Sequence, residues 1–296
     1  MNLWFTEKHE KTGLTYQVKE TLFQGRSEFQ DVAVLDTFDY GRMLTIDGFV
    51  MTTERDEYVY HEMIAHVPMT AHPAPKRVLV VGGGDGGTVR EVLRHPSVTH
   101  VDLCEIDAMV IEQSKIWLPT IAGALDDPRV TIHVRDAIAF MAEQKDRYDV
   151  ILIDSTDPIG PGEGLFTEGF YRDCLRALTA DGILAAQTES PFSMQAEFAR
   201  AYSKLFKVFP IVSCYYGVVP TYAGQLWTWS FCSKAHGPFA QLEQKNLKAL
   251  EEQTRYYNRE LHRGAFALPS YVRRMLDEIK KGAEGPAALE GQPART

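Results

Sequence analysis

Four apolar, strand-like runs, each followed within a few residues by an acidic side chain, constrain the fold of this chain more than any other feature. Segments with helical spacing of apolar residues separate the runs, and this alternation predicts a doubly wound α/β fold with a mostly parallel sheet. The acids and the runs before them are Asp85 after RVLVV, Glu105 after HVDLC, Asp136 after VTIHVR and Asp154 after DVILI. Because the carboxyl ends of parallel strands meet at one edge of a sheet, we expect these carboxylates to line one ligand crevice. Such a crevice favours a cationic ligand.

Residues 1–55 precede this alternation and contain short runs in which polar and apolar residues alternate. The Asp47-Gly48 pair between two of these runs is a strong hairpin signal, so we predict a small antiparallel β domain over 1–55. Helical spacing then predicts a helix over 56–70 that ends near Pro68. Residues 56–281 are predicted to form the doubly wound domain, and the Gly-, Ala- and Pro-rich tail 282–296 is predicted to be disordered.

The composition excludes several classes of protein. With 45% hydrophobic and 24% charged residues the chain reads as globular, and no apolar stretch approaches the roughly 18 residues of a membrane span. A net charge of -9 disfavours nucleic acid as a partner and favours cationic small molecules. The first residues lack a basic region followed by an apolar one, so we expect a cytoplasmic protein without a membrane partner.

Cysteine and histidine spacing gives no metal signature. The four cysteines lack a CxxC or similar spacing and lie in apolar segments, which predicts buried, reduced thiols. His61 and His66 are five residues apart instead of the four that place two ligands on one helical face. We therefore predict no metal.

A glycine loop follows the first strand of the doubly wound segment. Gly82, Gly84 and Gly87 fit the GxGxxG pattern, and Glu105 at the end of the next strand is placed to accept hydrogen bonds from ribose hydroxyls. Asp85 inside the loop would repel a pyrophosphate near a helix N-terminus, so a positively charged nucleoside of the S-adenosyl sulfonium type fits better. Tight-turn packing of the glycines and an N-cap role of Asp85 are the structural alternatives.

Two further acidic positions allow a functional and a structural interpretation. The loop Asp154-Ser155-Thr156-Asp157-Pro158 brings two carboxylates three residues apart beside the crevice, and an Asx turn before proline is the alternative. Asp136 could hydrogen-bond the exocyclic amine of an adenine or cap the helix that follows it. The sequence alone leaves these alternatives open.

Several longer stretches resemble the spermidine synthases, the polyamine aminopropyltransferases. They are ERDEYVYHEM (54–63), VLVVGGGDGGTVREVLRHPSV (78–98), EID (105–107), DSTDPIGPGEGLF (154–166), VPTYAGQLW (219–227) and RYYNRELHRGAFALP (255–269). The resemblance implies a methyltransferase-like Rossmann domain preceded by the β domain, assembled as a homodimer or homotetramer. It also implies transfer of an aminopropyl group from decarboxylated S-adenosylmethionine, a co-substrate and not a resident cofactor, to putrescine.

The resemblance also implies roles for individual residues. Asp154 would be the catalytic proton acceptor. The nucleoside donor would contact Gln30, Asp85, Glu105, Asp136, Ala137 and Pro161, with Glu105 on the ribose and Asp85 on the aminopropyl ammonium. The diamine would be placed by Tyr60, His61, Asp85, Asp154, Asp157, Gln187 and Tyr222. The chain differs from the family pattern at Arg135-Asp136-Ala137 and at Ala223-Gly224-Gln225.

Other functions remain open at this stage. The acceptor could be cadaverine, agmatine or a longer polyamine, because spacing does not reveal pocket length. An S-adenosylmethionine-dependent methyltransferase would share the fold and Glu105, but the Asp85, Asp154 and Asp157 carboxylates suit a donor without a carboxylate. A polyamine-binding protein without catalysis is disfavoured because Asp154 is retained.

Overall fold

The computed structural model describes residues 3–9, 12–156 and 160–284. The strands of this described part are β1 Leu3–Lys8, β2 Gly13–Arg26, β3 Asp31–Thr37, β4 Arg42–Ile46, β5 Phe49–Thr53, β6 Arg77–Gly82, β7 His100–Glu105, β8 Val130–Val134, β9 Tyr148–Asp154, β10 Leu178–Gln187, β11 Ile211–Val218 and β12 Leu226–Ser233. The helices are α1 Glu57–Ala71, α2 Gly87–Leu93, α3 Ala108–Trp117, α4 Pro119–Ala122, α5 Ala137–Ala142, α6 Glu168–Ala177, α7 Gln195–Val208, α8 Lys248–Glu251, α9 Arg259–Gly264 and α10 Ser270–Glu284, with 3-10 segments at Gly123–Asp126 and Gly160–Phe166.

The strands form two sheets. The first is antiparallel, in the order β1-β2-β3-β4-β5, and the second has the order β11-β12-β10-β9-β6-β7-β8. In the second sheet β12 pairs antiparallel with β10 and β11, while the other pairs are parallel. The predicted α/β fold, a doubly wound and mostly parallel sheet preceded by a small antiparallel β unit, is confirmed.

The central strands are buried on both faces. Val78 and Val80 of β6 pack into a core with α1 and α2, whereas Leu79 and Val81 pack into the opposite core with α5, α6 and α7. Successive side chains of a strand point to opposite faces, so helices on both faces require apolar residues at every position. This explains why these strands are continuous apolar runs in the sequence.

The antiparallel sheet packs on the helices that follow β7. Val32 and Leu44 of this sheet share a core with Val110 of α3 and Ile121 of α4. The Tyr16 hydroxyl also donates a hydrogen bond of 2.9 Å to the carbonyl of Thr221, in the loop between β11 and β12. These contacts place the antiparallel sheet against the carboxyl edge of the parallel sheet.

Several predicted details are confirmed and others are wrong. The four cysteines are buried free thiols, as predicted. Helix α1 does not end near Pro68 but continues to Ala71, because its burial among apolar neighbours outweighs the cost of a missing amide hydrogen. Strand β1 and helices α9 and α10 were not predicted, and most of the tail, residues 285–296, lies outside the described residues. No described helix is long and apolar enough to cross a bilayer.

The buried position of β9 predicts a large stability cost for truncation there. Ile151 is fully buried, and Ile151→Ala should lower the free energy of unfolding by about 2–5 kcal/mol through lost burial and a residual cavity. Ile116→Ala in α3 is the matched control, because Ile116 is 59% exposed and should cost less than about 0.5 kcal/mol. Equilibrium denaturation measures both, and equal losses would contradict the described packing.

Candidate active site

A cleft lies at the carboxyl edge of the parallel sheet, closed on one side by the antiparallel sheet. Ten of the twelve residues proposed from sequence line it: Gln30, Tyr60, His61, Asp85, Glu105, Asp136, Ala137, Asp154, Gln187 and Tyr222. Asp157 and the side chain of Pro161 lie outside the described part of the chain. The structure therefore brings residues from the three strands β7, β9 and β10, from the helices α1 and α5, and from four loops into one hollow.

The glycine loop between β6 and α2 lets functional side chains approach its backbone. A Cβ at Gly83 would lie 2.7 Å from Oδ2 of Asp154, and one at Gly87 would overlap the ring of His61. Gly83 also has a positive φ of 66°. In this loop the glycines accommodate a carboxylate and an imidazole as well as leaving room for a ligand.

Asp154 ends β9 beside the first glycine of the loop, with which it pairs in register. Its Oδ2 accepts a hydrogen bond of 2.7 Å from the Thr88 hydroxyl, and the Tyr60 hydroxyl lies close to the same carboxylate. Burial and then the nearby charge of Asp85 raise the pKa of Asp154, against the opposing influence of His61. A carboxylate with a raised pKa is a better proton acceptor near neutral pH.

Asp85 faces Asp154 but ionises differently. Oδ1 accepts the Gly87 amide hydrogen at 2.8 Å, and Oδ2 lies 3.3 Å from Nε2 of His61. Burial opposes its ionisation, yet the charge and hydrogen bond of His61 outweigh burial and lower the pKa of Asp85. The N-cap interpretation of Asp85 is wrong, since the N-cap of α2 is Gly86, but Asp85 binds the first amide of this helix while also lining the cleft.

An ion chain that sequence reasoning missed runs from Asp85 into the protein. Nδ1 of His61 lies 2.6 Å from Oε2 of Glu57, and Nη2 of Arg90 lies 2.7 Å from the same oxygen. Burial opposes the charge of His61, but Asp85 and Glu57 prevail and raise the pKa of His61 well above its ordinary value. Glu57 and His61 are four residues apart on α1, a spacing that could have revealed the pair.

One end of the cleft carries the residues expected to bind a nucleoside. Glu105 accepts the Asp107 amide hydrogen at 2.9 Å, and burial raises the pKa of Glu105 to about 7. The Gln30 amide donates to Oδ2 of Asp107 at 2.9 Å, which fixes its side chain at the cleft wall. Asp136 caps α5 by accepting the Ile138 amide hydrogen at 2.8 Å and also lines the cleft, so its two interpretations are compatible.

The other end of the cleft lies under β5 and the loop between β11 and β12. The Gln187 amide donates to Oε1 of Glu189 at 2.9 Å, and the Tyr222 hydroxyl donates to the Met51 carbonyl at 2.6 Å. Glu7 of β1, which the sequence did not single out, is a buried carboxylate in this wall. This end therefore adds an acid from a strand remote in sequence.

A set of potential metal ligands at the opposite end of the sheet does not fit a metal ion. His72, Asp149 and Asp181 bring their side chains together there. Burial lowers the pKa of His72, and its Nδ1 accepts the Ala74 amide hydrogen at 3.2 Å. The neutral ring then carries its proton on Nε2, which faces Asp181 and has no lone pair to offer a metal.

Two family models match the chain. The model described as the spermidine synthase tetramerisation domain matches residues 3–54, and that described as the spermine/spermidine synthase domain matches residues 57–275.

Curated relatives and solved structures are similar over nearly the whole chain. The chain is 49% identical over 280 residues to the polyamine aminopropyltransferase of Alkaliphilus metalliredigens (strain QYMF), covering 94% of this chain and 99% of that one. Identity to the polyamine aminopropyltransferase of Bacillus mycoides (strain KBAB4) is 50% over 273 residues, covering 92% and 98%. A crystal structure of spermidine synthase in complex with the transition-state analogue AdoDATO aligns with a TM-score of 0.89 and 41% identity, covering 93% and 95%. That of spermidine synthase from Thermotoga maritima aligns with a TM-score of 0.88 and 40% identity, covering 93% and 94%.

The raised pKa of Glu105 predicts a pH-dependent effect on stability in the ligand-free protein. Protonated Glu105 is favoured by burial, so stability is retained below about pH 4.5 and lost as pH rises through about 7. Glu105→Gln removes this loss, so the stability of the variant relative to the unsubstituted protein should increase by about 3 kcal/mol across that window. Urea denaturation at several pH values measures the difference, and a constant difference would contradict the assigned environment.

Proposed function

The chain belongs to the spermine/spermidine synthase family, and we propose that it transfers the aminopropyl group of decarboxylated S-adenosylmethionine to putrescine. The relatives that this chain is similar to are polyamine aminopropyltransferases. The products are spermidine and 5'-methylthioadenosine. The observation that carries the proposal is the pair Asp85, which is buried, and Asp154, which is half-buried, because both carboxylates face one cleft with opposite shifts of pKa. The lowered pKa of Asp85 suits a permanent contact with a cation, and the raised pKa of Asp154 suits proton transfer.

The nucleoside part of the donor occupies the end of the cleft with Glu105. Both ribose hydroxyls donate to this carboxylate, which already accepts the Asp107 amide hydrogen. Gln30, Asp136, Ala137 and Pro161 contact the rest of the nucleoside. The Asp136 oxygen that does not cap α5 accepts from the adenine amine.

Asp85 binds the ammonium of the aminopropyl group and selects the donor. Ordinary S-adenosylmethionine would bring its own carboxylate close to Asp85, and two close like charges in a buried site are costly. Decarboxylated S-adenosylmethionine offers the ammonium alone. This discrimination also disfavours a methyltransferase.

The transfer is a single displacement at carbon. The acceptor amine is protonated at neutral pH, and presenting its neutral form costs roughly 4–5 kcal/mol if its pKa is near that of lysine. Asp154 accepts the proton, the nitrogen lone pair forms the new N–C bond, and the C–S electron pair returns to sulfur, which leaves as a neutral thioether. Orientation of nitrogen, carbon and sulfur in line supplies much of the acceleration.

The remaining cleft residues place the acceptor as a diamine. Tyr60, His61, Gln187 and Tyr222 surround the reacting amine and the chain behind it. The resemblance to spermidine synthases supports the same role for Asp157, which lies outside the described residues. Glu7 adds a buried carboxylate at the same end, which favours a second positive charge on the acceptor. Putrescine is the acceptor that we propose, and cadaverine, agmatine or a longer polyamine are the alternatives.

The assembly is proposed as a homodimer or homotetramer. The match of residues 3–54 to a tetramerisation domain supports this proposal. We further propose residues 1–55 and 56–281 as the two units of the chain.

Asp154→Asn tests the proton acceptor. The variant should fold and bind methylthioadenosine in calorimetry but lose about 10²–10⁴-fold in kcat, because asparagine cannot accept the amine proton. The assay measures spermidine by mass after incubation with decarboxylated S-adenosylmethionine and putrescine. Asp126→Asn is the control, because this carboxylate is 75% exposed and distant from the cleft, and should retain turnover. Turnover of Asp154→Asn within a few-fold of the unsubstituted enzyme would refute the assignment.

Asp85→Asn tests donor selection. Without the negative charge the affinity for decarboxylated S-adenosylmethionine should fall and the penalty on S-adenosylmethionine should shrink, so their affinity ratio should drop at least about tenfold. Calorimetric titration of both nucleosides without acceptor gives the ratio directly. An unchanged ratio would remove the selection role.

A further inference from the structure

The buried ion chain behind Asp85 has a function that the displacement itself does not require. We propose that Glu57, held by Arg90, is a positioning residue that keeps His61 as an imidazolium and thereby orients Asp85 towards the cationic end of the donor. This inference rests on the proposed function in one respect, which is that the ligand of Asp85 is the ammonium of the donor.

The two contacts of His61 determine its protonation state. Nδ1 lies 2.6 Å from Oε2 of Glu57, and Nε2 lies 3.3 Å from Oδ2 of Asp85. Ionised carboxylate oxygens only accept hydrogen bonds, so a ring that carries hydrogen on both nitrogens matches the two contacts best. A neutral ring has one N–H and would turn a lone pair towards one of the carboxylates. The two contacts therefore favour the imidazolium.

Glu57 is held in the ionised form from its other side. Nη2 of Arg90 contacts Oε1 at 2.9 Å and Oε2 at 2.7 Å, and a guanidinium does not lose its proton. Burial opposes the charge of Glu57, but His61 and Arg90 lower its pKa to about 2. Arg90 is itself fixed by Nε, which lies 2.7 Å from Oε1 of Glu91.

Charged and titratable groups face His61 from every neighbouring element. Glu57 and Tyr60 lie on α1, Asp85 on the glycine loop and Asp154 at the end of β9, while Arg90 of α2 acts through Glu57. Burial disfavours the imidazolium, and the two contacting carboxylates overcome it. Without the charge of Glu57, Asp85 would be the remaining contacting carboxylate that stabilises the imidazolium, while the unfavourable effect of burial would be unchanged.

The consequence for the cleft is a fixed carboxylate plane. Oδ1 of Asp85 accepts the Gly87 amide hydrogen, and Oδ2 lies at ion-pair distance, 3.3 Å, from Nε2 of His61. The remaining lone pairs of Asp85 are thereby held in one orientation.

Glu57→Gln isolates the charge while keeping the shape. The glutamine carbonyl can accept from Nδ1–H of a neutral His61, but Nε2 then faces Asp85 with a lone pair. We expect KM for the donor to rise at least about tenfold with a smaller change in kcat. The alkaline limb of kcat/KM for the donor should also move about one pH unit lower, because less alkali is needed to deprotonate His61.

Two further variants distinguish positioning from a structural role. Glu91→Gln removes a buried carboxylate that contacts the same Arg90 but does not contact His61, so the alkaline limb should stay in place. Glu57→Asp retains the charge, so the alkaline limb of kcat/KM for the donor should return at least in part to its position in the unsubstituted enzyme. Activity lowered equally at all pH values in Glu57→Gln, with an unmoved limb, would show a structural role and overturn the proposal.

A titration of the ligand-free protein tests the proposal independently of catalysis. With ¹⁵N-labelled histidine, NMR reports the protonation of both ring nitrogens, and His61→Gln assigns the signal. His61 should remain an imidazolium well above the pH at which an ordinary histidine loses its proton, both in the unsubstituted protein and in Glu91→Gln, but should become neutral at lower pH in Glu57→Gln. Identical titration in the unsubstituted protein and Glu57→Gln would overturn this inference even if transfer is observed. The expected titration together with absent transfer would overturn the proposed function and leave the state of His61 established.

Discussion

The imidazolium of His61, buried between two carboxylates, is the interaction on which the cleft depends. Asp85 and Asp154 face the same hollow, and ionising two neighbouring carboxyl groups at close range is unfavourable in free energy. Contact with His61 stabilises the charge on Asp85. Burial and then the charge on Asp85 raise the pKa of Asp154. The charge of His61 thus helps to give two aspartates different pKa values and different functions.

The fold supplies this arrangement through the edge of its parallel sheet. β6 and β9 pair so that Gly82 lies beside Asp154, and the turn after β6 carries Asp85 back across the strand end. Helix α1 brings Glu57 and His61 to this edge within its first two turns. Because α1 and the sheet share one apolar core, the packing that stabilises the domain also fixes the distance between His61 and Asp85.

The sequence predicted the parts of the site that depend on local pattern. Continuous apolar runs indicate strands buried on both faces, and an acid just after such a run must lie at the carboxyl edge, which is where Asp85, Glu105, Asp136 and Asp154 are found. The extent of α1 past Pro68 was not predictable in the same way, since it depends on burial among distant residues. Glu7 was missed for a related reason, because its contact with the Val50 amide of β5 joins residues that are remote in sequence. Arg90 has no local signal either, as its partner Glu57 lies on another helix.

Direct titration of the two facing carboxyl groups tests the central claim most closely. Aspartate labelled with ¹³C at the carboxyl carbon reports each ionisation by NMR, and Asp85→Asn and Asp154→Asn assign the two signals. In the ligand-free protein Asp85 should titrate below the ordinary pKa of aspartic acid and Asp154 above it. Titration of both groups at the ordinary value, or with the order reversed, would contradict the division of tasks described for this cleft.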